Sequence, residues 1–254
     1  MAIAQGLVLR RGVLGESDRF CVLYTAEYGK LPVRFIGVNR PHGKLKALSE
    51  PLALGEYRLH LREGSESALC TGGSLTTTHP RLRADLDRLL RALQVCELLD
   101  RLTPVSQPSP AKFSLALETL ARIEDAEALF SCDWLLISFS LRLLGEAGFG
   151  VADLPVTERN RALWDLLHDA PLSEVAALPE DPERRARLEG YLQRSVEGLT
   201  EKPLRTLRMR AQLAAPIISP PFSREGLGVG RTPKTAVLPH PALPVGEGIL
   251  KGRP

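Results

Sequence analysis

Clustered cysteines, paired histidines and long apolar runs are what this 254-residue chain lacks. Its four cysteines, Cys21, Cys70, Cys96 and Cys132, stand 49, 26 and 36 positions apart. A zinc site closes its ligands from pairs spaced two to four residues apart, and a disulfide scaffold needs cysteine at far higher density. Neither is expected here, and buried structural thiols are. None of the five histidines, His42, His60, His79, His168 and His240, sits at ligand spacing with another. Apolar runs such as Trp134-Leu135-Leu136-Ile137 fall far short of the ~20 residues that cross a bilayer, so no membrane association is expected. The opening Met1-Ala2-Ile3-Ala4-Gln5 lacks the basic and apolar stretches of a signal peptide, so the expected compartment is the cytoplasm. There is no Gly-x-x-x-x-Gly-Lys-Ser/Thr loop to cradle nucleotide phosphates. Gly145 to Gly150 closes a predicted helix rather than following a strand, which disfavours a dinucleotide site. No Ser/His/Asp or Cys/His set stands out as a nucleophilic centre.

What is present is the balance of a soluble globular protein, 44% hydrophobic and 25% charged. The net charge of +3 is unevenly placed. Residues 1–80 carry +3, residues 81–214 carry −3, and residues 215–254 carry +3. An anionic partner therefore has to be met by local patches.

Residues 1–79 read as β. Ile3, Leu7 and Leu9 lead into Gly12; Phe20-Cys21-Val22-Leu23-Tyr24-Thr25 stops at Tyr28-Gly29; and Leu31 to Val38 follows as a hairpin partner would. Asn39 to Lys44 is a loop by its proline and glycine. Two further strands are expected, over Leu52–Leu61 and within Ser65–Thr78. Five short strands in this span predict a small closed barrel of the OB type. Residues 80–214 read as an all-α domain. One helix is expected from Pro80 through Leu98, a second from Pro110, a central one over Ala126–Ala147, shorter ones near Arg161–Leu167 and Ser173–Ala177, one capped by Asp181-Pro182, and a last from Pro203 to Leu213. Residues 215–254 hold eight of the 20 prolines and six of the 21 glycines, the composition of a disordered tail. The fold class is thus α+β and multi-domain: OB barrel, helical domain, tail.

The positive chemical signal lies in the β segment. Arg34, Arg40, Lys44 and Lys46 fall within thirteen positions, and Arg10, Arg11 and Arg19 are near by. Tyr24 and Phe35 supply flat rings. Cations that track phosphates and rings that stack on bases are the two ingredients of a single-strand groove. The competing reading is a solvated basic loop over an ordinary barrel core. A second cationic cluster, Lys202, Arg205, Arg208 and Arg210, has three members on one helical face, or else simply complements a helix end. Arg184, Arg185 and Arg187, offset by Glu183 and Glu189, read as a solvated face. Glu16 and Asp18 flank a serine in a predicted turn. They read as turn-capping groups, with a Mg²⁺-dependent nuclease pair as the enzymatic alternative.

Several stretches form a recognisable set: Gly15-Glu16-Ser17-Asp18-Arg19, Leu23-Tyr24-Thr25 with Tyr28-Gly29-Lys30, Gly37-Val38-Asn39-Arg40, and Leu48-Ser49-Glu50-Pro51-Leu52. In the helical part Arg83-Ala84-Asp85-Leu86 and Cys96 through Pro104 join them. Together these stretches resemble the RecO family of bacterial DNA repair and recombination proteins. The resemblance implies an N-terminal OB-fold, a helical domain and no enzymatic activity. It implies binding to single- and double-stranded DNA, strand annealing, and action with RecR, and in many bacteria RecF, to load RecA onto DNA coated by single-strand-binding protein (SSB). It also implies contact with the acidic C-terminal tail of SSB, for which Arg101, Arg142, Arg159 and Arg161 are the candidates here, and work at the nucleoid. Some members carry a four-cysteine zinc site in the helical domain; no cysteine follows Gly148 here, so no cofactor is expected. The alternative is an OB-type module that binds only protein.

Overall fold

The computed structural model describes residues 1–40, 43, 45–61, 67–149 and 158–214. The expected tail over 215–254 lies outside them. Five strands close a barrel in the order β1-β2-β3-β5-β4: β1 (Ala2–Leu14), β2 (Asp18–Thr25), β3 (Gly29–Phe35), β4 (Leu54–His60) and β5 (Ala68–Thr77). Closure is possible because β1 is long enough to serve two partners. Its first half pairs antiparallel with β4 and its second half with β2, with a register shift between Val8 and Arg10 that bends the strand. Parallel pairing of Val33–Phe35 with Ala68–Cys70 completes the ring.

Two apolar clusters result. The barrel interior holds Val8, Cys21, Leu23, Val33, Phe35 and Tyr57 among others. The other cluster is the helical core, and it includes Leu7, Leu9, Val22, Tyr24, Leu52 and Leu54 from the outer face of the barrel. Alternate residues of β1 and β2 thus enter different cores, which is why Gly6-Leu7-Val8-Leu9 and Cys21-Val22-Leu23-Tyr24 are continuously apolar. The β2–β3 turn is pressed against residues 103–109, a link between two of the helices. Ser106 N donates to Lys30 O at 2.9 Å, and a Cβ on Gly29 (φ +65°) would come 2.1 Å from Gln107 O.

Among the described residues eight helices follow: α1 (Pro80–Ala84), α2 (Leu86–Leu102), α3 (Pro110–Asp125), α4 (Leu129–Glu146), α5 (Glu158–Asp169), α6 (Leu172–Ala176), α7 (Pro182–Thr200) and α8 (Arg205–Ala214). The single helix expected from Pro80 is two. Asp85 leaves the helical region and its carboxylate accepts from the N–H groups of Asp87 and Arg88, so it caps α2 rather than continuing α1. Ser109 and Asp181 cap α3 and α7 with proline at the next position. Helix α4 is central: thirteen of its eighteen residues are buried.

One of those thirteen is Asp133. Its Oδ1 accepts from Arg91 Nε of α2 at 2.7 Å and from Arg210 Nη2 of α8 at 2.8 Å. Arg185 Nε of α7 lies 3.6 Å from Oδ2, so this arginine faces the core rather than the expected solvated face. Arg210 likewise turns inward, bonding Gln94 and Glu189 as well. A single carboxylate therefore ties three helices to the central one. Removing it strands buried guanidinium charge, which typically costs about 3–5 kcal/mol. Asp133→Ala is expected to lose stability on that scale in urea denaturation.

Candidate nucleic-acid interface

The parity of β2 and β3 decides which side chains are open. On β2, Cys21 and Leu23 point into the barrel, so Phe20, Val22 and Tyr24 point outward. Val22 and Tyr24 meet the helices there. The Tyr24 ring is fully buried and stacks on Phe113 of α3, with centroids 6.4 Å apart, and burial pushes its hydroxyl up to about 12. On β3, Phe35 points inward and meets Tyr57 edge-on at 6.3 Å. The two rings expected to stack on bases are thus both enclosed, Tyr24 because its outward face is a helix contact and Phe35 because its parity is inward. Two barrel aromatics remain half-open, Phe20 on the outer face and Tyr28 at the β2–β3 turn. Phe20 is the one beside an expected cation. It lies in register with Arg34 across the ladder, and Arg34 in turn with Leu69. The Arg10 guanidinium sits 6.0 Å from the Phe20 ring centroid, a cation–π distance.

The expected cations divide into three groups. Arg34, Arg40 and Lys46 are exposed. Arg34 has Asp18 at 3.8 Å, a loose surface pairing; Arg40 and Lys46 have no ion pair among the described residues. Turn bonds run from Arg40 N to Gly37 O, from Gly43 N to Arg40 O and from Lys46 N to Gly43 O. Arg10 and Arg11 are half-exposed and each already holds a carboxylate, Asp100 at 2.6 Å and Glu50 at 2.9 Å. Arg19 is enclosed at the barrel mouth. It donates to Asn39 Oδ1, Ser49 Oγ and Glu50 Oε1, so it pins two loops instead of facing solvent. Lys44 lies outside the described residues.

Asp18 accepts Gly37 N at 2.8 Å with one oxygen and faces Arg34 with the other, so its carboxylate serves the loop after β3. The turn-capping expectation was correct in kind, though the capped N–H belongs to a different turn. That occupancy disfavours the nuclease pairing with Glu16.

Of the residues expected to meet a partner's acidic tail, Arg101 is spent on the chain itself. It donates to Lys202 O at 2.7 Å, Pro203 O at 2.8 Å and Glu97 Oε1 at 2.6 Å. Arg142 donates to the Leu167 and Ala170 carbonyls at the end of α5. Both act as internal ties, because an arginine fork satisfies the free carbonyls of a chain ending a helix. Arg161 is exposed on α5, and the side chain of Arg159 lies outside the described residues.

Glu97, which sequence reasoning passed over, anchors α8. Its carboxylate accepts from Arg205 N, Thr206 N and Thr206 Oγ1, at 2.9, 2.9 and 2.7 Å. Burial alone would raise its pKa, but the bonds from Thr206 and Arg205 and the charge of Arg101 outweigh burial and hold it below the ordinary value. Neither composition nor periodicity marks it, since the helix it caps begins more than a hundred residues later.

Two family models match the chain. The model of the recombination protein O N-terminal domain matches residues 1–79, and that of the recombination protein O C-terminal domain matches residues 83–152. The chain belongs to the RecO family. Its curated relatives include the DNA repair protein RecO of Desulfitobacterium hafniense, 33% identical over 58% of this chain and 51% of the relative. The RecO of Bacillus subtilis is 28% identical over 57% of this chain and 54% of its own length, and that of Salinibacter ruber 29% identical over 74% and 73%. The chain thus spans about half the length of several curated RecO relatives that it matches. The closed five-stranded barrel is the OB-type element that the N-terminal match covers.

A carboxyl group held below its usual pKa contributes stability above about pH 4.3, the unfolded value, and loses it as pH falls through the folded value. Glu97→Gln is expected to cost about 1–3 kcal/mol at neutral pH, because the amide leaves charged and backbone donors poorly met. The variant should also lose less stability than the parent between neutral pH and pH ~3.5. Urea midpoints measured at both pH values check this.

Proposed function

We propose that this chain is a DNA repair and recombination mediator that binds single- and double-stranded DNA through the open outer face of its barrel and anneals complementary strands. The observation that carries the proposal is the group Arg34, Arg40 and Lys46, exposed around one strand end and loop, with the half-open Phe20 ring in register with Arg34. Phosphates meet cations that are not already neutralised, and a base has a ring to lie on. Two strands repel through their phosphates; a surface that holds one or both reduces that repulsion and raises their local concentration, and the bases do the pairing. No covalent step is needed, so the protein acts without catalysis. In line with the family, it works in the cytoplasm at the nucleoid. There it acts with RecR, and with RecF where present, to help load RecA onto single-stranded DNA coated by SSB, and it contacts the SSB tail. With Arg101 and Arg142 engaged internally, Arg161 is the described candidate that stays open for that tail.

Each phosphate contact on single-stranded DNA contributes about 0.7 to the slope of log K against log salt. The combined variant Arg34→Ala, Arg40→Ala, Lys46→Ala is expected to bind a labelled oligonucleotide more weakly and to flatten that slope by about 2. Fluorescence anisotropy across salt concentrations measures both quantities, and an unchanged slope rejects the barrel face. Annealing of SSB-coated complementary strands, with and without RecR, tests the mediator role itself.

A further inference from the structure

We infer that the groove between β1, the C-terminal half of α2 and the start of α8 is a second phosphodiester-binding site, which carries a nucleic-acid strand from the barrel onto α8. The inference rests on the nucleic-acid reading of the barrel and adds a place and residues that that reading does not include.

The groove holds about 550 Å³ and is lined by five cations: Arg10, Arg11 and Arg101 are already paired with Asp100, Glu50 and Glu97, and Lys202 and Arg205 are the bare ones among the described residues. Its two carboxylates, Glu97 and Asp100, are both consumed by the protein. Glu97 is saturated by the backbone and side chain of Thr206, Arg205 N and Arg101. Asp100 holds Arg10 at 2.6 Å and Lys30 at 3.4 Å. The Lys202 and Arg205 side chains are exposed and have no ion pair among the described residues. Arg208, one helical turn beyond Arg205, is exposed as well and continues the row. The first N–H groups of α8 are already taken by Glu97, so the attraction comes from side-chain charge and not from the helix end.

The groove is continuous with the barrel face. Arg11 and Arg19 share Glu50 Oε1, at 2.9 and 2.7 Å. Ser49, the residue before it, donates its hydroxyl to Lys46 O at 2.8 Å. Bare cations therefore stand at both ends of this path, Lys46 on the loop after β3 and Lys202, Arg205 and Arg208 at α8, with the paired Arg11 between them. Separate bare charges, in the groove and beyond it, suit a polyanion with a repeating charge. A lone carboxylate at the end of an acidic peptide would be met by Lys202 and Arg205 and leave Arg208 and Lys46 unused. Of the apolar residues beneath the groove, Leu9 and Cys96 are buried and Leu93 is partly exposed, so the apolar surface open to a sugar or base edge is Leu93.

The test uses the full chain with Lys202→Ala and Arg205→Ala combined, and a charge-keeping Lys202→Arg, Arg205→Lys control. Neither side chain makes a contact that the fold uses, and thermal melting verifies folding. Anisotropy is read with oligothymidylates of about 6 and about 25 nucleotides, below and above the reach of one OB barrel. For the long probe, the alanine variant is expected to bind roughly tenfold more weakly and to lose about 1.4 from its salt slope, the share of two single-strand phosphate contacts. For the short probe its affinity should stay within about twofold, and the charge-keeping control should restore the long-probe slope. An unchanged slope with the long probe overturns the inference. Equal losses on both probes also overturn it, as does loss of binding to an acidic peptide with oligonucleotide binding intact. A parent chain that binds neither probe overturns the nucleic-acid reading as a whole, an outcome distinct from a parent that binds and a variant that does not differ.

Discussion

The middle of β1, residues 6–9, and the end of β2, residues 21–25, are buried on both faces, and the rest of the molecule is arranged around that constraint. Val8, Cys21 and Leu23 fill the barrel while Leu7, Leu9, Val22 and Tyr24 fill the seam with the helices. A fully buried aliphatic or aromatic side chain contributes about 1.5–3 kcal/mol, so the seam is worth on the order of 10 kcal/mol as an upper bound. Stacking one base returns about 1–3 kcal/mol. The seam does not open to offer Tyr24 to a base; any nucleic acid has to use what the helices leave uncovered. That is the Phe20–Arg34–Leu69 row, the loop after β3 and the mouth of the barrel.

Arginine serves two distinct purposes in the chain. Arg19, Arg91, Arg101, Arg142 and Arg210 are internal ties, each meeting several oxygens with one planar fork. The guanidinium suits this because it stays charged when buried and presents fixed parallel donors. Arg34, Arg40, Arg205 and Arg208 are left to solvent. The helical part is net negative by sequence, yet many of its cations are spent on its own carboxylates and carbonyls. The start of α8 is where free positive charge returns, beside the barrel.

The architecture was legible because turn chemistry and periodicity agree with the final structure: five strands between glycine- and proline-marked turns, and helices opened by Ser109-Pro110 and Asp181-Pro182. The break at Asp85 was hidden because Leu82, Leu86, Leu89 and Leu90 keep helical spacing across it. Which part of β2 the helices cover was hidden for a different reason. Its five consecutive apolar residues show no alternation, and Phe20 and Tyr24 share the outer face, so only the docking of Phe113 of α3 on Tyr24 tells them apart. The cations of the site were recognisable by type, but their freedom was not. Arg10 meets an aspartate 90 positions away and Arg19 a glutamate 31 positions away, pairings that only the folded chain creates.

Asp100 and Glu50 each hold two cations, Arg10 with Lys30 and Arg11 with Arg19. They behave as built-in counterions. A phosphate that met Arg10 or Arg11 would displace a tethered carboxylate that keeps its second partner, so no charge would be left unpaired inside the fold. The cations condensed on the strand would still be released, so such a contact would register in a salt titration as fully as one made by a bare lysine. Its contribution to affinity would be smaller, by the attraction of the carboxylate it displaces; the salt slope would count every phosphate met, while the binding strength would lean on the bare cations.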